Sequence, residues 1–196
     1  MVVRSVNCTT IHNHIAPQKE KLYSTTGYLY SPVLDLVNQS AGLGFVNIIP
    51  DIDGVIRRIP IAVEYKGRMV PSFFLQSLCS YLDYDLSNIE VVNGAKLLFH
   101  NFPGKDKGIR DISVPLDDIG NLLVNYAGQL NSTNYPQSFG AWEALQLDSP
   151  PTEITKKLVI ISDISSTSND QSPVPVDNVF PRSYILSNAI NTLLTG

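Results

Sequence analysis

The sequence predicts an α/β fold in which a mixed sheet has flanking helices and a β-meander insertion. Three observations favour this class. Apolar residues recur at helical spacing in residues 73–84 and 183–194. Residues 158–161 form an unbroken apolar run, which is typical of a buried parallel strand. Short alternating segments elsewhere are separated by Gly, Asn and Asp residues that favour turns, so they predict hairpins.

The composition fits one packed domain over residues 1–196. Of the 196 residues, 43% are hydrophobic and 16% are charged, which is enough apolar material for a core and too little charge for a disordered chain. The formal net charge is −4, so no basic face is offered to nucleic acid. No stretch reaches about 18 consecutive apolar residues, so no membrane-spanning helix is predicted.

The N-terminal third is expected to begin with a short strand at 2–6 and a polar loop at 7–18. Pro32 suits the first turn of a short helix that runs through Val37, with glycines at 42 and 44 ending it. Residues 45–49 are apolar and read as a strand.

A β-meander is predicted over residues 44–70. Asp and Gly at 51–54 have the chemistry of a tight turn. Residues 55–65 alternate as a strand, and Lys66-Gly67 turns the chain again. The turn at 51–54 would therefore connect the first two strands of the meander.

The helix predicted at 73–84 is the clearest element of the chain, with Ser72 as its N-cap. Its core-facing stripe consists of Phe74, Leu75, Leu78, Cys79 and Leu82. Two short strands over 88–99 flank Asn93-Gly94, a strong hairpin signal. Residues 101–111, which contain Pro103-Gly104, read as a loop.

The last third is expected to contain a turn at Gly120, a strand at 122–126 and a short helix at 138–147. The buried strand at 158–161 follows. A polar loop at 162–177 then leads to a closing helix at 183–194.

Few residues suggest a metal or cofactor site. His12 and His14 have the spacing of two zinc ligands but lack an evident third, so we expect a solvated loop. Cys79 is expected to be a buried small hydrophobe, and a disulfide with Cys8 stays open. No phosphate-binding loop, dinucleotide fingerprint or nucleophile elbow occurs, so we predict no cofactor and no metal.

Asp51 and Asp53 admit an enzymatic interpretation. Asp-x-Asp-Gly-Val after an apolar segment looks like the nucleophile loop of a haloacid-dehalogenase-type Mg²⁺ phosphatase, in which the first Asp attacks phosphorus and the second transfers protons. The later acidic pair Asp117-Asp118 has the right order. The context argues against it, since Pro50 would lie in a central strand and a strand, not a helix, is predicted after Gly54.

Ten residues are predicted to be architectural, in turns or in ion pairs, and none to be catalytic. Arg57 and Arg58 alternate along a predicted strand, so they should lie on opposite faces, and at least one should pair with Asp53 or Asp117. The ten are Asn47, Asp51, Asp53, Gly54, Arg57, Arg58, Asp117, Gly120, Asn125 and Tyr126.

A ligand-binding role is predicted for Ser162, Asp163 and Asp170. They lie in the polar loop after the predicted buried strand. In open α/β sheets, ligands bind beside the loops that follow such strands. Their hydroxyl and carboxylate groups could hold a small polar ligand or a cation, and a solvated connection without a ligand is the alternative.

From Gly44 onward, the order of motifs resembles the second class of CHASE domains, the cyclase/histidine-kinase-associated sensory extracellular domains. The matching pieces are Gly-Phe-Val-Asn at 44–47, Asp-Ile-Asp-Gly-Val-Ile-Arg-Arg-Ile-Pro at 51–60, Val-Pro-Ser-Phe at 70–73, Val-Pro-Leu-Asp at 114–117, Val-Asn-Tyr at 124–126, Lys-Leu-Val-Ile-Ile at 157–161 and Asn-Ala-Ile-Asn-Thr-Leu-Leu-Thr-Gly at 188–196. The chain resembles the C-terminal two-thirds of such a domain.

The resemblance implies a non-catalytic sensor domain on the extracytoplasmic (periplasmic) face of a bacterial cytoplasmic membrane, as a fragment of a longer membrane protein. Transmembrane helices and a cytoplasmic adenylate or guanylate cyclase, histidine kinase or other kinase would belong to the same parent chain. The signal would be an unidentified small molecule or protein, and a homodimer is compatible. A solute-binding or adhesion module without signalling output is the alternative.

Three places in the chain depart from the family pattern. Ser162-Asp163 stands where the family usually has Gly after the buried strand. Arg182 stands where Gly usually follows the proline, and Leu186-Ser187 replaces a His-Ala pair. A pocket shaped by these residues would therefore differ here.

Overall fold

The computed structural model describes residues 32–65, 68–92, 96–104, 108–130, 138–146, 154–165 and 170–195. These ranges contain both helices and small antiparallel sheets, which confirms the α/β class. The helices are α1 (Leu34–Gln39), α2 (Phe73–Leu82), α3 (Ala141–Leu145) and α4 (Arg182–Thr195). The strands are β1 (Arg58–Pro60), β2 (Ala62–Tyr65), β3 (Arg68–Pro71), β4 (Ile89–Val92), β5 (Lys96–Gly104), β6 (Gly108–Pro115), β7 (Asn121–Leu123), β8 (Gln171–Val174) and β9 (Asp177–Pro181).

The predicted meander is wrong, although its β2–β3 hairpin is present. Residues 45–49 form no strand, because Phe45 instead joins the start of α2: its N–H donates to Pro71 O at 3.1 Å, and its carbonyl accepts from Phe73 N at 2.8 Å. The predicted strand at 55–65 is divided at Ile61. Strand β1 pairs with the distant β7, in antiparallel register.

Helix α2 confirms its prediction closely. Ser72 Oγ accepts a hydrogen bond from Leu75 N at 3.4 Å, as an N-cap does, and the helix ends at Asp83 in a left-handed conformation with φ of 52°. Four residues of the predicted stripe are buried, and Leu82 packs against the core at partial exposure. The buried members are Phe74, Leu75, Leu78 and Cys79.

The predicted loop at 101–111 is wrong. Strands β4, β5 and β6 form one antiparallel sheet, in which β5 runs on to Gly104 and β6 begins at Gly108. A register shift between Phe99 and Phe102, with Asn101 at φ of 56°, lets β5 continue past an irregular position. The rings of Tyr84, Phe99 and Phe102 pack together there, with centroids 5.2–6.0 Å apart.

The predicted buried parallel strand at 158–161 is also wrong. No described strand includes it, Val159 is 53% exposed, and Ile161 is 92% exposed. An apolar run specifies burial only when a partner strand is supplied, and the described strand pairs are all antiparallel. The predicted polar loop at 162–177 contains β8, which pairs with β9.

The remaining helices are confirmed with shifted ends. Helix α1 stops at Gln39, before the glycines, because Ser40 N donates back to Val37 O at 3.2 Å. Helix α3 lies inside its predicted range, and α4 extends slightly beyond it. The predicted strand at 122–126 shortens to β7. No helix within the described ranges has the length and apolar content needed to cross a membrane.

Several predictions fall on residues that the structure does not describe. They concern the strand at 2–6, the loop at 7–18 with its two histidines, Cys8, and the turn residues Lys66-Gly67 and Asn93-Gly94.

Candidate functional site

The turn at 51–54 is closed by its own backbone. Asp51 N donates to Val55 O at 3.0 Å, and Gly54 N donates to Asp51 O at 2.8 Å. Gly54 has φ of 81°, a conformation in which a Cβ would be strained. Asp53 Oδ1 accepts from Val55 N at 3.1 Å. The predicted turn is thus confirmed, although it connects no pair of strands.

A second turn with the same bonding pattern lies at 117–120. Asp117 N donates to Asn121 O at 3.0 Å, Gly120 N donates to Asp117 O at 3.1 Å, and Gly120 has φ of 82°. Asp117 Oδ1 accepts from the N–H groups of Ile119 and Asn121, and Oδ2 accepts from Asn121 Nδ2. Burial raises the pKa of Asp117, but these hydrogen bonds outweigh it, so the pKa lies below its ordinary value.

Arg57 folds back over the first turn. Its Nη1 lies 2.9 Å from Asp51 Oδ2 and 3.0 Å from Asp53 Oδ1, and its Nη2 lies 2.8 Å from Asp53 Oδ2. This forked contact with Asp53 is the geometry that a guanidinium and a carboxylate favour. The hydrogen bond from Arg57 lowers the pKa of Asp53 to about 2 and, in return, raises the pKa of Arg57.

Arg58 joins the two turns. Its Nη1 donates to Asp117 Oδ2 at 3.1 Å, and its Nε lies 3.4 Å from Asp51 Oδ1. The Nε atom is buried and makes no hydrogen bond of good geometry, so its contact with Asp51 is an ion pair only. The prediction that at least one arginine pairs with Asp53 or Asp117 is met by both, since Arg57 pairs with Asp53 and Arg58 with Asp117. The prediction that the arginines lie on opposite faces is wrong: both reach Asp51, because Arg57 precedes β1.

We call the linked side chains of Asp51, Asp53, Arg57, Arg58 and Asp117 the charged cluster. Each carboxylate in it contacts at least one guanidinium. A phosphatase nucleophile needs a free carboxylate at the end of a central parallel strand, and Asp51 has neither. Among the described residues, no group of three or more His, Cys, Asp or Glu side chains is placed to hold a metal ion.

The segment after β7 ties the charged cluster to α4. The N–H of Asn125 donates to Thr192 Oγ1, and that of Ala127 donates to Asn188 Oδ1, both at 3.0 Å. Asn188 is only 3% exposed. Neither Asn188 nor Thr192 is among the predicted site residues. The signal in the sequence was a polar side chain on the apolar face of a predicted helix.

Tyr126 connects the segment after β7 to the residues just before β1. Its hydroxyl donates to Ile56 O at 2.8 Å, and its ring packs edge-on against Phe180 with centroids 5.8 Å apart. Val124 N donates to Arg57 O at 3.0 Å. The two turns, the segment at 124–127 and α4 are thus connected by direct hydrogen bonds. Asn47 is exposed and takes no part in these contacts.

The predicted ligand residues are all exposed. Asp163 Oδ1 accepts from Ser165 N at 2.9 Å, a hydrogen bond that lowers the pKa of Asp163. Asp170 O accepts from Arg182 N at 3.0 Å, and its carboxylate lies 3.9 Å from Arg182 Nε. The strand on which their prediction depended is absent, so binding by Ser162, Asp163 and Asp170 stays a prediction.

One comparison with known proteins identifies a relationship. The family model of the CHASE2 domain matches residues 7–196. The match begins well before Gly44, where the resemblance in the sequence starts. No curated protein and no solved structure matches the chain.

Proposed function

The chain belongs to the CHASE2 family of sensory extracellular domains, and from that premise we propose that it is the ligand-sensing, extracytoplasmic part of a bacterial transmembrane receptor. The parent chain would add transmembrane helices and a cytoplasmic adenylate or guanylate cyclase or a protein kinase. The family match over residues 7–196 carries this proposal.

The charged cluster supports a role without catalysis. Its carboxylates are occupied by arginines, and its turns are held by hydrogen bonds within the domain. A ligand that binds one arrangement of the domain more tightly shifts the population toward it.

Helix α4 is the proposed output element. It contacts α2 and β9, and through Asn188 and Thr192 it holds the segment next to the charged cluster. A movement of the segment at 124–127 would therefore displace α4. In the parent chain, one anchoring helix would precede the domain and several transmembrane helices would follow α4.

The location is tested with reporter fusions to the native protein truncated after residue 196, with everything upstream of it retained. Alkaline phosphatase needs disulfides that form outside the cytoplasm, so a fusion placed directly after residue 196 should be active. The matched β-galactosidase fusion should be inactive. An active β-galactosidase fusion with an inactive phosphatase fusion would overturn the extracytoplasmic location.

The output is tested in membranes that contain the full-length protein. We expect formation of a cyclic nucleotide from ATP or GTP, or transfer of the ATP γ-phosphate to protein, and we expect deletion of residues 7–196 to change that rate. The absence of both activities would favour the solute-binding or adhesion alternative.

The phosphatase alternative has its own assay. We expect no Mg²⁺-dependent hydrolysis of p-nitrophenyl phosphate by the 196-residue chain. Hydrolysis that Asp51→Asn abolishes, and that Asp35→Asn at an exposed position of α1 leaves unchanged, would revive the enzymatic interpretation.

A further inference from the structure

Residues 157–161 alternate in exposure as a strand does, and the chain then stays exposed through Ser162 and Asp163. Leu158 and Ile160 pack against the core at partial burial. Val159 and Ile161, between and beyond them, are 53% and 92% exposed. Lys157 and Asp163 continue the exposed row at either end. One face of this segment thus lies on the domain, and the other presents apolar side chains to solvent.

The backbone of residues 158–162 is also available, whereas Lys157 N donates to Ile154 O at 3.2 Å. Within the described ranges, no backbone hydrogen bond involves residues 158–162. The nearest side-chain hydrogen bonds lie at either end of these residues, where Tyr81 Oη donates to Lys156 O at 3.2 Å and Asp163 Oδ1 accepts from Ser165 N at 2.9 Å. An apolar, unpaired strand-like segment is a template for pairing with another strand.

The exposed row is complementary to itself in one register. If two copies of the segment pair in antiparallel fashion about Ile160, Lys157 of each copy lies opposite Asp163 of the other. Val159 then lies opposite Ile161, so apolar meets apolar. Opposite charges and apolar pairs that face each other across strands stabilise an antiparallel ladder.

We propose that residues 157–163 pair with the same segment of a second copy of this chain, in antiparallel register about Ile160. The charge pattern selects this occupant, because a twofold axis at Ile160 satisfies both charged ends at once. A C₂ dimer needs such a self-complementary patch. The proposal does not depend on the proposed receptor function.

The test is the dissociation constant of the 196-residue chain, measured by sedimentation equilibrium. We expect a dimer whose dissociation constant rises about tenfold in Lys157→Asp and in Asp163→Lys, since each variant replaces two attractive pairs by repulsive ones. The double variant K157D/D163K should restore dimerisation. Lys156→Asp, which makes the same charge change one residue away, should leave the dissociation constant unchanged.

Hydrogen exchange provides a second measurement. The amides of residues 158–162 should be protected in the dimer and exchange rapidly on dilution to monomer. A wild-type chain that stays monomeric at high concentration would overturn the proposal. This holds whether the amides of residues 158–162 exchange rapidly or are protected by another part of the same chain. A dimer that the charge reversals leave intact would overturn the register.

Discussion

Asp117 shows at the residue scale how one carboxylate can position both a turn and a neighbouring strand. It accepts hydrogen bonds from two backbone N–H groups, from Asn121 Nδ2 and from Arg58 Nη1. The next residue, Asp118, is exposed. The pair therefore offers a matched comparison between a bonded and a solvated aspartate.

We expect Asp117→Ala to lower the free energy of unfolding by about 2 kcal/mol, because it leaves several donors without their acceptor. Asp118→Ala should change it by less than about 0.5 kcal/mol. Urea denaturation of the two variants measures the difference. Equal effects would show that the hydrogen bonds of Asp117 contribute nothing specific.

His100 predicts a pH dependence of stability. Its Nε2 lies 3.3 Å from Glu90 Oε2 and its Nδ1 lies 3.3 Å from Asp111 Oδ2. Hydrogen bonds that His100 donates to Glu90 and, to a lesser extent, to Asp111 raise the pKa of His100 above its ordinary value of 6.5. A raised pKa in the folded state stabilises the fold below the unfolded pKa, and this stabilisation is lost as pH rises through the folded pKa.

His100→Gln should therefore lower the free energy of unfolding at pH 5.5 and have little electrostatic effect at pH 9. Urea denaturation at both pH values, with wild type beside the variant, gives the comparison. A difference that is the same at both pH values would assign His100 a packing role only.

At the element scale, the chain's passage beside α2 depends on a glycine. A Cβ on Gly44 would lie 2.5 Å from the N and Cα atoms of Phe73, which belong to the backbone of α2. The atoms nearest to a Cβ on Gly42 would be those of the Gln76 side chain, which can move. The two glycines therefore differ in their neighbours: the backbone of Phe73 is fixed in α2, whereas the side chain of Gln76 can change its rotamer.

We expect Gly44→Ala to lower the free energy of unfolding by about 2 kcal/mol, as overpacking does. Gly42→Ala should cost less, because Gln76 can adopt another rotamer. Thermal or urea unfolding of both variants tests this. A larger loss in Gly42→Ala would contradict the backbone contact as the cause.

Elements with complete local signals are those that the sequence predicts well. Helix α2 has a cap, an apolar stripe and an end within its own residues, and the β4–β5 hairpin follows a strong turn signal. The segments at 45–49 and 158–161 are equally apolar, yet neither forms a strand. A strand requires a partner, and the sequence of a single segment does not name one.

At the scale of the whole molecule, the reactivity of Cys79 measures how often the core opens. It is 2% exposed, and burial, followed by the charge of Asp85, raises its pKa to about 12. A thiol in that setting is protonated and inaccessible, so it reacts only when the structure opens.

In a Cys8→Ser chain, which leaves Cys79 as the single cysteine of the sequence, we expect thiol labelling to be slow in buffer. Labelling should accelerate with urea in parallel with global unfolding. Full labelling in denaturant is the control. Fast labelling in buffer would mean that the α2 face opens locally.

In the candidate site, as in the fold, the sequence predicted the local contacts and missed distant ones. The sequence predicted the turn at 51–54 and a pairing of arginines with Asp53 or Asp117, since these follow from local chemistry. It missed Asn188 and Thr192, because their partners at 124–127 lie more than 60 residues away in the chain. It also placed a ligand loop after a strand that the structure does not form.

The sequence by itself determined the α/β class, the two long helices, the hairpins with strong turn residues and the family. These depend on periodicity, caps and the order of motifs, which are properties of neighbouring residues. Only the tertiary structure decided that β1 pairs with β7, that both arginines converge on Asp51, and that residues 158–161 stay exposed. Those outcomes depend on which distant segments come into contact. The free energy of such contacts cannot be read from a local sequence pattern.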